Sequence, residues 1–421
     1  MYSIKELING IHDCECGKEH TAAIKDIQVG RGMVHKVGTF LKKNGFKRNL
    51  LLVSDRNCLK AAEGIKESLS DFDVVYHLYD DLRVATMERA EEVMDELQGN
   101  DRDVISVGSG SLNDICRLSC ARLDRNFCIF ATAPSMDGFA SDTAPIVANG
   151  FKSSYAARSP QLIVADTEIL AKAPKCLKSA GFGDLMAKYV GLVDWEISSL
   201  VSGEYFCRKV ADITRYAADS VLRMADRICD DDPEAAGQIF ESLILTGLGM
   251  SFTGNSRPAS GAEHIVAHMI DSLEVTKGKL PNFHGEDVGV ATIAMLEFYN
   301  RLADLDSIET HRETVNWEKV YEIYGSLSDD VRKLNSPDTI LSDADPQKLK
   351  ALWPEIRRII RSVPDADQIR TAMERAGCML TYEDAGKTAE FFNTCFRYSP
   401  YMRRRITLMR LLDMIETDNI L

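Results

Sequence analysis

His264 and His268 stand four places apart in Ser260-Gly261-Ala262-Glu263-His264-Ile265-Val266-Ala267-His268; a third imidazole follows in Asn282-Phe283-His284-Gly285-Glu286, and a carboxylate precedes them in Gly181-Phe182-Gly183-Asp184. On a helix, positions i and i+4 share a face, so both imidazoles of the pair reach toward one point. The chain has eight histidines, and three of them cluster between residues 264 and 284. Asp184, His264 and His284 offer one carboxylate and two imidazoles, a set that holds a divalent ion and leaves positions open, as a catalytic rather than a structural site requires. Such an ion polarises a carbonyl while hydride arrives from a reduced nicotinamide, or stabilises an alkoxide in the reverse direction. His268 is then free to contact substrate or relay a proton. The competing reading has Asp184 capping a helix over 185–200 and the histidines on a helix surface.

A nicotinamide needs a dinucleotide site, and Asp103-Val104-Ile105-Ser106-Val107-Gly108-Ser109-Gly110-Ser111-Leu112-Asn113-Asp114 reads as a strand, a tight glycine turn and a helix start. Backbone amides at such a turn, with the positive end of the helix, stabilise a pyrophosphate without a cationic side chain. Gly108 and Gly110 are its candidates. Asn113 stands where the third glycine of G-x-G-x-x-G belongs, so an ordinary βα turn is the alternative. One strand later, the polar loop Ala131-Thr132-Ala133-Pro134-Ser135-Met136-Asp137-Gly138-Phe139-Ala140-Ser141 lies at a carboxyl strand end, where α/β sheets place ligands. Its hydroxyls and Asp137 are candidates for nicotinamide, ribose or substrate. Asp55 is a candidate for the adenosine ribose, or else a helix N-cap.

Arg257, just before the histidine helix, and Lys152 are candidates for a substrate phosphate, arginine through its fork of donors; solvated loop cations are the alternative. Cys14-Glu15-Cys16-Gly17-Lys18-Glu19-His20 brings two thiols and an imidazole together. A structural zinc site wants four ligands, so a surface turn or hairpin is expected, with a zinc knuckle completed by His12 or a distant side chain as the minority reading.

Two kinds of element must position these groups. Short β-rich apolar runs at 50–53, 74–77, 104–107, 127–130 and 162–165 alternate with amphipathic segments at 33–43, 87–97 and from 112 onward, the pattern of a parallel sheet covered by helices. Beyond Pro174 the β-branched runs nearly vanish and helical periodicity takes over, as at 185–200, 234–245, 286–302, 346–363 and 383–392. The expected organisation is an α/β Rossmann-like domain over 1–175, with 1–25 as an N-terminal extension, and an all-α domain over 176–421. The active site is expected in the cleft between them.

Composition narrows the function. A chain of 421 residues, 45% hydrophobic and 27% charged, suits a soluble globular protein, and no apolar run approaches the ~20 residues of a membrane span. A formal charge of −14 argues against broad binding to nucleic acid or anionic lipid. The start Met1-Tyr2-Ser3-Ile4-Lys5-Glu6 lacks the apolar core of a secretory signal, so a cytoplasmic location is expected, with the 11 cysteines reduced.

The order strand-GSGS-helix, TAPSMDGFAS, GFGD, SRPASGAEHIVAH and FHGEDVG resembles the sn-glycerol-1-phosphate dehydrogenase family, in the larger group of iron-type alcohol dehydrogenases, glycerol dehydrogenase and dehydroquinate synthase. The resemblance covers roughly residues 25–400 and implies the dehydroquinate synthase-like fold. It also implies reversible NAD- or NADP-dependent reduction of dihydroxyacetone phosphate to sn-glycerol 1-phosphate at a zinc or nickel ion, in a homo-oligomer. Metal positions then match Asp184, His264 and His284; substrate contacts match Asp137, Asp184 and His268, with Asp137 and His268 as the catalytic pair. Cofactor contacts match Gly110, Ser111, Leu112, Asn113 and Asp114, then Thr132, Ala133, Pro134 and Ser135, and Ser141. Ser109 departs from the GGG turn common across the wider group. A polyol dehydrogenase acting on an unphosphorylated substrate and a dehydroquinate-synthase-like lyase are the alternatives.

Overall fold

The computed structural model describes residues 2–416. Six strands, β1 (Asp26–Gly30), β2 (Asn49–Asp55), β3 (Asp73–Tyr79), β4 (Asp103–Gly108), β5 (Phe127–Ala131) and β8 (Leu162–Asp166), form one sheet. Between β5 and β8 come β6 (Thr143–Ala148) and β7 (Phe151–Ala156), which pair only with each other. The sheet is parallel throughout, in the order β1-β8-β5-β4-β2-β3. Its central strands β4, β5 and β8 are buried at every position, which is why their sequences run continuously apolar instead of alternating. Edge strand β3 is mostly open to solvent.

From β2 the chain moves outward to β3, whereas β4 leads the other way, to β5 and β8. The carboxyl ends of β2 and β4, at Asp55 and Gly108, therefore flank the point where strand order reverses, the place an open α/β sheet leaves a crevice. The β6–β7 hairpin was not anticipated. Asn149 and Gly150 turn it with φ of 51° and 79°, the two left-handed residues that a tight primed turn demands, and Asn-Gly is its sequence signal.

Six helices build the rest of the site: α1 (Gly110–Leu123), α2 (Lys175–Met186), α3 (Lys188–Ser202), α4 (Pro233–Thr253), α5 (Ala262–Thr276) and α6 (His284–Ala303). The expected helix over 185–200 is thus preceded by another, and Asp184 lies in the last turn of α2, not at the cap of α3. The segment expected as helix 383–392 instead begins at Ala389. Gly386 adopts a left-handed φ of 70°, and Thr388 accepts a hydrogen bond from the amide of Phe391 as the new N-cap.

One core joins the sheet to the helical part. Ile129 and Ile163 of the sheet share it with Phe240, Ile244 and Leu248 of α4. Phe139, from the loop after β5, packs against Phe240 with ring centroids 4.8 Å apart, and burying each ring contributes roughly 2–3 kcal/mol. The loop is thereby anchored to the helical half. No helix among the described residues is long and apolar enough to cross a membrane.

Candidate active site and metal centre

Close approach of α2 and α6 comes first, because it brings Asp184 to His284. A Cβ on Gly285 would lie 2.0 Å from the carbonyl oxygen of Ala180, and one on Gly183 would lie 2.6 Å from that of Gly285. Gly181 similarly admits the carbonyl of Pro134, which a Cβ would meet at 1.8 Å. The glycines of GFGD and FHGE are thus the reason two helices and the β5 loop can share one corner.

At that corner, donor atoms of Asp184, His264 and His284 all lie within 4.8 Å of one another. His264 Nε2 is 3.3 Å from Asp184 Oδ1. On the other side of the ring, His264 Nδ1 lies 2.6 Å from Glu263 Oε1, whose carboxylate also accepts the Gly261 amide at 2.8 Å. Glu263 therefore accepts a hydrogen bond from Nδ1–H and leaves the Nε2 lone pair for a metal ion on the Asp184 side, the arrangement that orients metal-bound imidazoles. His284 Nδ1 is buried with no hydrogen-bond partner among the described residues. This donor set fits a divalent ion.

Electrostatics agree. Burial works against the charge of Asp184, but Lys188 and the hydrogen-bonded His264 overcome it and hold the carboxyl well below its usual range. Burial, reinforced by the charge of Lys152, pushes His268 and His284 well below the ordinary imidazole value, so both stay neutral and offer a lone pair. For His264, burial and Lys188 act downward, yet the hydrogen bonds of Asp184 and Glu263 prevail and raise it.

Lys188 was missed in the sequence, although it sits four residues after Asp184 on the continuing helical path. Its buried ammonium lies 2.7 Å from both Asp184 Oδ1 and Asp137 Oδ2 and donates to Ala259 O at 3.0 Å. The Asp137 amide donates to Asp184 Oδ2 at 2.8 Å. Burial and the charge of Asp184 raise the Asp137 carboxyl, and Lys188 opposes them.

His268 is half-buried beside this centre, its ring stacked on His284 with centroids 5.4 Å apart. Arg403, a second missed residue, lies 3.2 Å from His268 Nδ1. A guanidinium can only donate, so Nδ1 accepts and the imidazole proton belongs on Nε2.

A cavity of about 170 Å³ adjoins the metal corner and is lined by Asp137, Lys152, His284, Ser111, Asp55 and Arg83. Arg83 stacks its guanidinium on Phe283 at 3.9 Å from the ring centre. Past Ser109 and Cys58 the cavity meets a larger groove of about 1070 Å³, bordered by Thr132, Ala133, Asp166 and Gly32. Both run along the carboxyl ends of β2, β4 and β5, where the glycine turn puts Ser109, Gly110 and Ser111. Gly108 needs its hydrogen side chain, since a Cβ would meet Leu112 Cδ1 at 2.3 Å.

Other candidates are placed differently. Arg257 is buried away from the cavity, donating to Glu204 Oε1 at 2.8 Å, Ile406 O at 2.7 Å and Ser198 Oγ at 3.0 Å, so it is engaged in the protein's own structure and does not face a substrate phosphate. Asn113 faces the sheet and accepts from Ser106 Oγ at 2.7 Å, while Leu112 is buried but reaches the cavity lining. Asp114 lines the cavity and pairs with Arg117 at 2.6 Å, which in turn donates to Gly138 O and to Thr143 O; the pair ties α1 to the β5 loop. Ser141 lies 3.1 Å from the Thr143 hydroxyl and does not line the cavity. Pro134 contributes its carbonyl to the α2 contact. Ser135 lines the cavity and is largely buried. Asp55 caps the following helix, accepting the Cys58 amide at 2.7 Å, and also lines the cavity. Lys152 lines the cavity while paired with Asp271 at 2.7 Å.

Comparison with known proteins agrees with this arrangement. Residues 28–174 match the family described as iron-containing alcohol dehydrogenase. A glycerol-1-phosphate dehydrogenase (NAD(P)+) of Methanosarcina barkeri is 31% identical over 348 residues, 82% of this chain and 88% of that protein. The enzyme of the same name from Halalkalibacterium halodurans is 30% identical over 322 residues, 72% of this chain and 80% of that one. Among solved structures, the NADH-dependent butanol dehydrogenase A of Thermotoga maritima shares the fold with a TM-score of 0.61 at 14% identity, covering 89% of this chain and 88% of that chain. Such identity, sustained over most of both chains, is that of common descent: the protein belongs to the glycerol-1-phosphate dehydrogenase family.

Proposed function

We propose that this chain catalyses the reversible NAD(P)H-dependent reduction of dihydroxyacetone phosphate to sn-glycerol 1-phosphate. The observation that carries the reading is the convergence of Asp184, His264 and His284 within 4.8 Å, beside a cavity that also holds Lys152 and the glycine turn. The metal, zinc or nickel, supplies Lewis acidity toward a carbonyl, and the nicotinamide supplies or accepts hydride. Asp184, His264 and His284 hold the ion, with Glu263 fixing the His264 tautomer.

The amides of Ser109 to Ser111, at the positive end of α1, take the pyrophosphate. Thr132, Ala133 and Asp55 border the path of the nucleotide. His268 presents its Nε2 proton to a substrate hydroxyl. Asp137, its carboxyl raised by burial and by Asp184, stands beside the substrate as a proton-handling group, and Lys188 keeps the two aspartates compatible with each other. Lys152 and Arg83 are the cations that line the cavity and suit a phosphate. Residues 1–175 carry the nucleotide and 176–421 the metal, with 1–25 as an extension. Exposed Val75, Tyr76 and Leu78 on edge strand β3 support a homo-oligomer in the same reading.

The test is NADH and NADPH oxidation by metal-loaded protein with dihydroxyacetone phosphate, before and after chelation, with chiral analysis of the product. Chelation-sensitive formation of sn-glycerol 1-phosphate is expected. Equal rates on dihydroxyacetone, or turnover without net nicotinamide oxidation, overturn it.

A further inference from the structure

Away from the cleft, the segment expected as a surface turn or hairpin forms a hairpin whose last residue, His20, turns inward. Residues 14–17 make a turn closed by the Gly17 amide on Cys14 O at 2.8 Å, and Ile11 and His20 pair as a two-residue antiparallel bridge. This small hairpin drives His20 into the interior, fully buried. Cys207, 187 residues further along, arrives from the other side as the N-cap of the helix Arg208–Leu222, and it too is buried.

Donor atoms of Cys14, Cys16, His20 and Cys207 all lie within 4.8 Å of one another. Cys14 Sγ is 3.6 Å from Cys207 Sγ; His20 Nε2 is 3.3 Å from Cys16 Sγ and 3.4 Å from Cys207 Sγ. A tetrahedron with bonds of about 2.3 Å to sulfur and about 2.0 Å to nitrogen sets its corners roughly 3.5–3.8 Å apart. The cluster therefore has the size of a zinc coordination shell. From this we infer that Cys14, Cys16, His20 and Cys207 form a second metal site, a closed structural zinc centre separate from the catalytic ion.

Three further features fit zinc and have no purpose for free thiols. His20 Nδ1 lies 3.0 Å from the carbonyl oxygen of Phe252, to which it can only donate, so the Nε2 lone pair points into the cluster. The Tyr205 hydroxyl sits 3.3 Å from Cys16 Sγ as an outer-shell donor to a thiolate, and Tyr205 is itself held by Trp195 Nε1 on its carbonyl at 2.7 Å. Cys207 stands at a helix N-terminus, whose unpaired backbone amides can donate to a metal-bound sulfur. Three thiols and an imidazole are the Cys₃His set of structural zinc sites, and all four positions are filled, so no place remains for substrate. The ion would staple the N-terminal extension to two helices of the helical part: Cys207 begins one, and Phe252 lies near the end of α4.

Cobalt(II) is the probe, loaded into the full chain under reducing conditions. The wild type is expected to show a sulfur-to-cobalt charge-transfer band and strong visible bands of tetrahedral cobalt. The charge-transfer band should persist in the His264→Ala/His284→Ala variant and be lost in Cys14→Ser and Cys207→Ser. Zinc content should be about two ions per chain in the wild type and about one in each cysteine variant or in the double-histidine variant. Should a cysteine variant misfold, the wild-type spectrum still decides. No thiolate band in reduced, cobalt-loaded wild type, a band that survives Cys207→Ser, or a Cys14–Cys207 disulfide in place of zinc overturns the inference.

Discussion

Gly285 packs so tightly on Ala180 that a single added carbon would stand 2.0 Å from the Ala180 carbonyl oxygen. Backbone cannot yield as a flexible side chain does, so Gly285→Ala must push α6 off α2 and carry His284 away from Asp184. Overpacking of this kind costs about 1–3 kcal/mol. The expected outcome is a modest drop in melting temperature with a disproportionate loss of metal at the catalytic site, seen as a metal content reduced in equilibrium dialysis. A variant that keeps full metal affinity would show that the helix contact does not set the geometry.

Lys188 donates to Asp184 Oδ1 at 2.7 Å while fully buried, which makes it a sensitive position. Replacing it by Met leaves two buried carboxylates facing each other, and removal of one partner from a buried ion pair costs about 3–5 kcal/mol. Lys188→Met should therefore lower thermal stability and reduce kcat on the proposed substrate by at least about 100-fold, while excess metal restores part of the stability by supplying replacement positive charge. Unchanged melting with intact activity would remove Lys188 from the site.

Part of this architecture was open to inspection in the primary structure. The strands at 50–53, 104–107, 127–130 and 162–165 stand out because burial on both faces forces unbroken apolar runs, and His264, His268 and His284 stand out because three of the eight histidines fall within 21 positions, two of them at helical spacing. Lys188 and the Asn149-Gly150 turn carried usable signals, an i+4 spacing and a primed-turn pair, that went unread. Other features depend on contacts no local pattern can express. Arg257 beside Glu204 reads the same in sequence as an arginine awaiting a phosphate; Cys207 and Arg403 meet their partners across 187 and 135 positions.

Arg83 tests the phosphate assignment more cleanly than Lys152, whose loss would also strand Asp271. A charge-assisted hydrogen bond contributes about 1.5–3 kcal/mol, or roughly 10- to 100-fold in binding. Arg83→Ala should raise KM for dihydroxyacetone phosphate by that factor and leave dihydroxyacetone nearly unaffected, measured by steady-state kinetics on both. Parallel changes for the two substrates would mean that Arg83 shapes the cleft mouth through Phe283 and does not bind phosphate.

Asp287, three residues after His284 on α6, offers a pH test. Burial, and then the charge of Asp271, raises its carboxyl to about 7 despite Lys387 and a 3.0 Å hydrogen bond from Asn282; its Oδ2 has no hydrogen bond. The unfolded carboxyl titrates near 3.9. Because the folded value is the higher one, the native state binds the proton more tightly, and the stability this confers, complete below about pH 4, is lost as pH climbs through about 7. At 1.36 kcal/mol per unit the loss is on the order of 2–4 kcal/mol. Asn at this position stays neutral and keeps an acceptor for Asn282. Urea unfolding of the wild type and Asp287→Asn at pH 5 and pH 8 should therefore show the variant gaining on the wild type at the higher pH. A difference between the two proteins that is equal at both pH values would mean that Asp287 is ionised in the fold, with Lys387 supplying the compensation that burial denies.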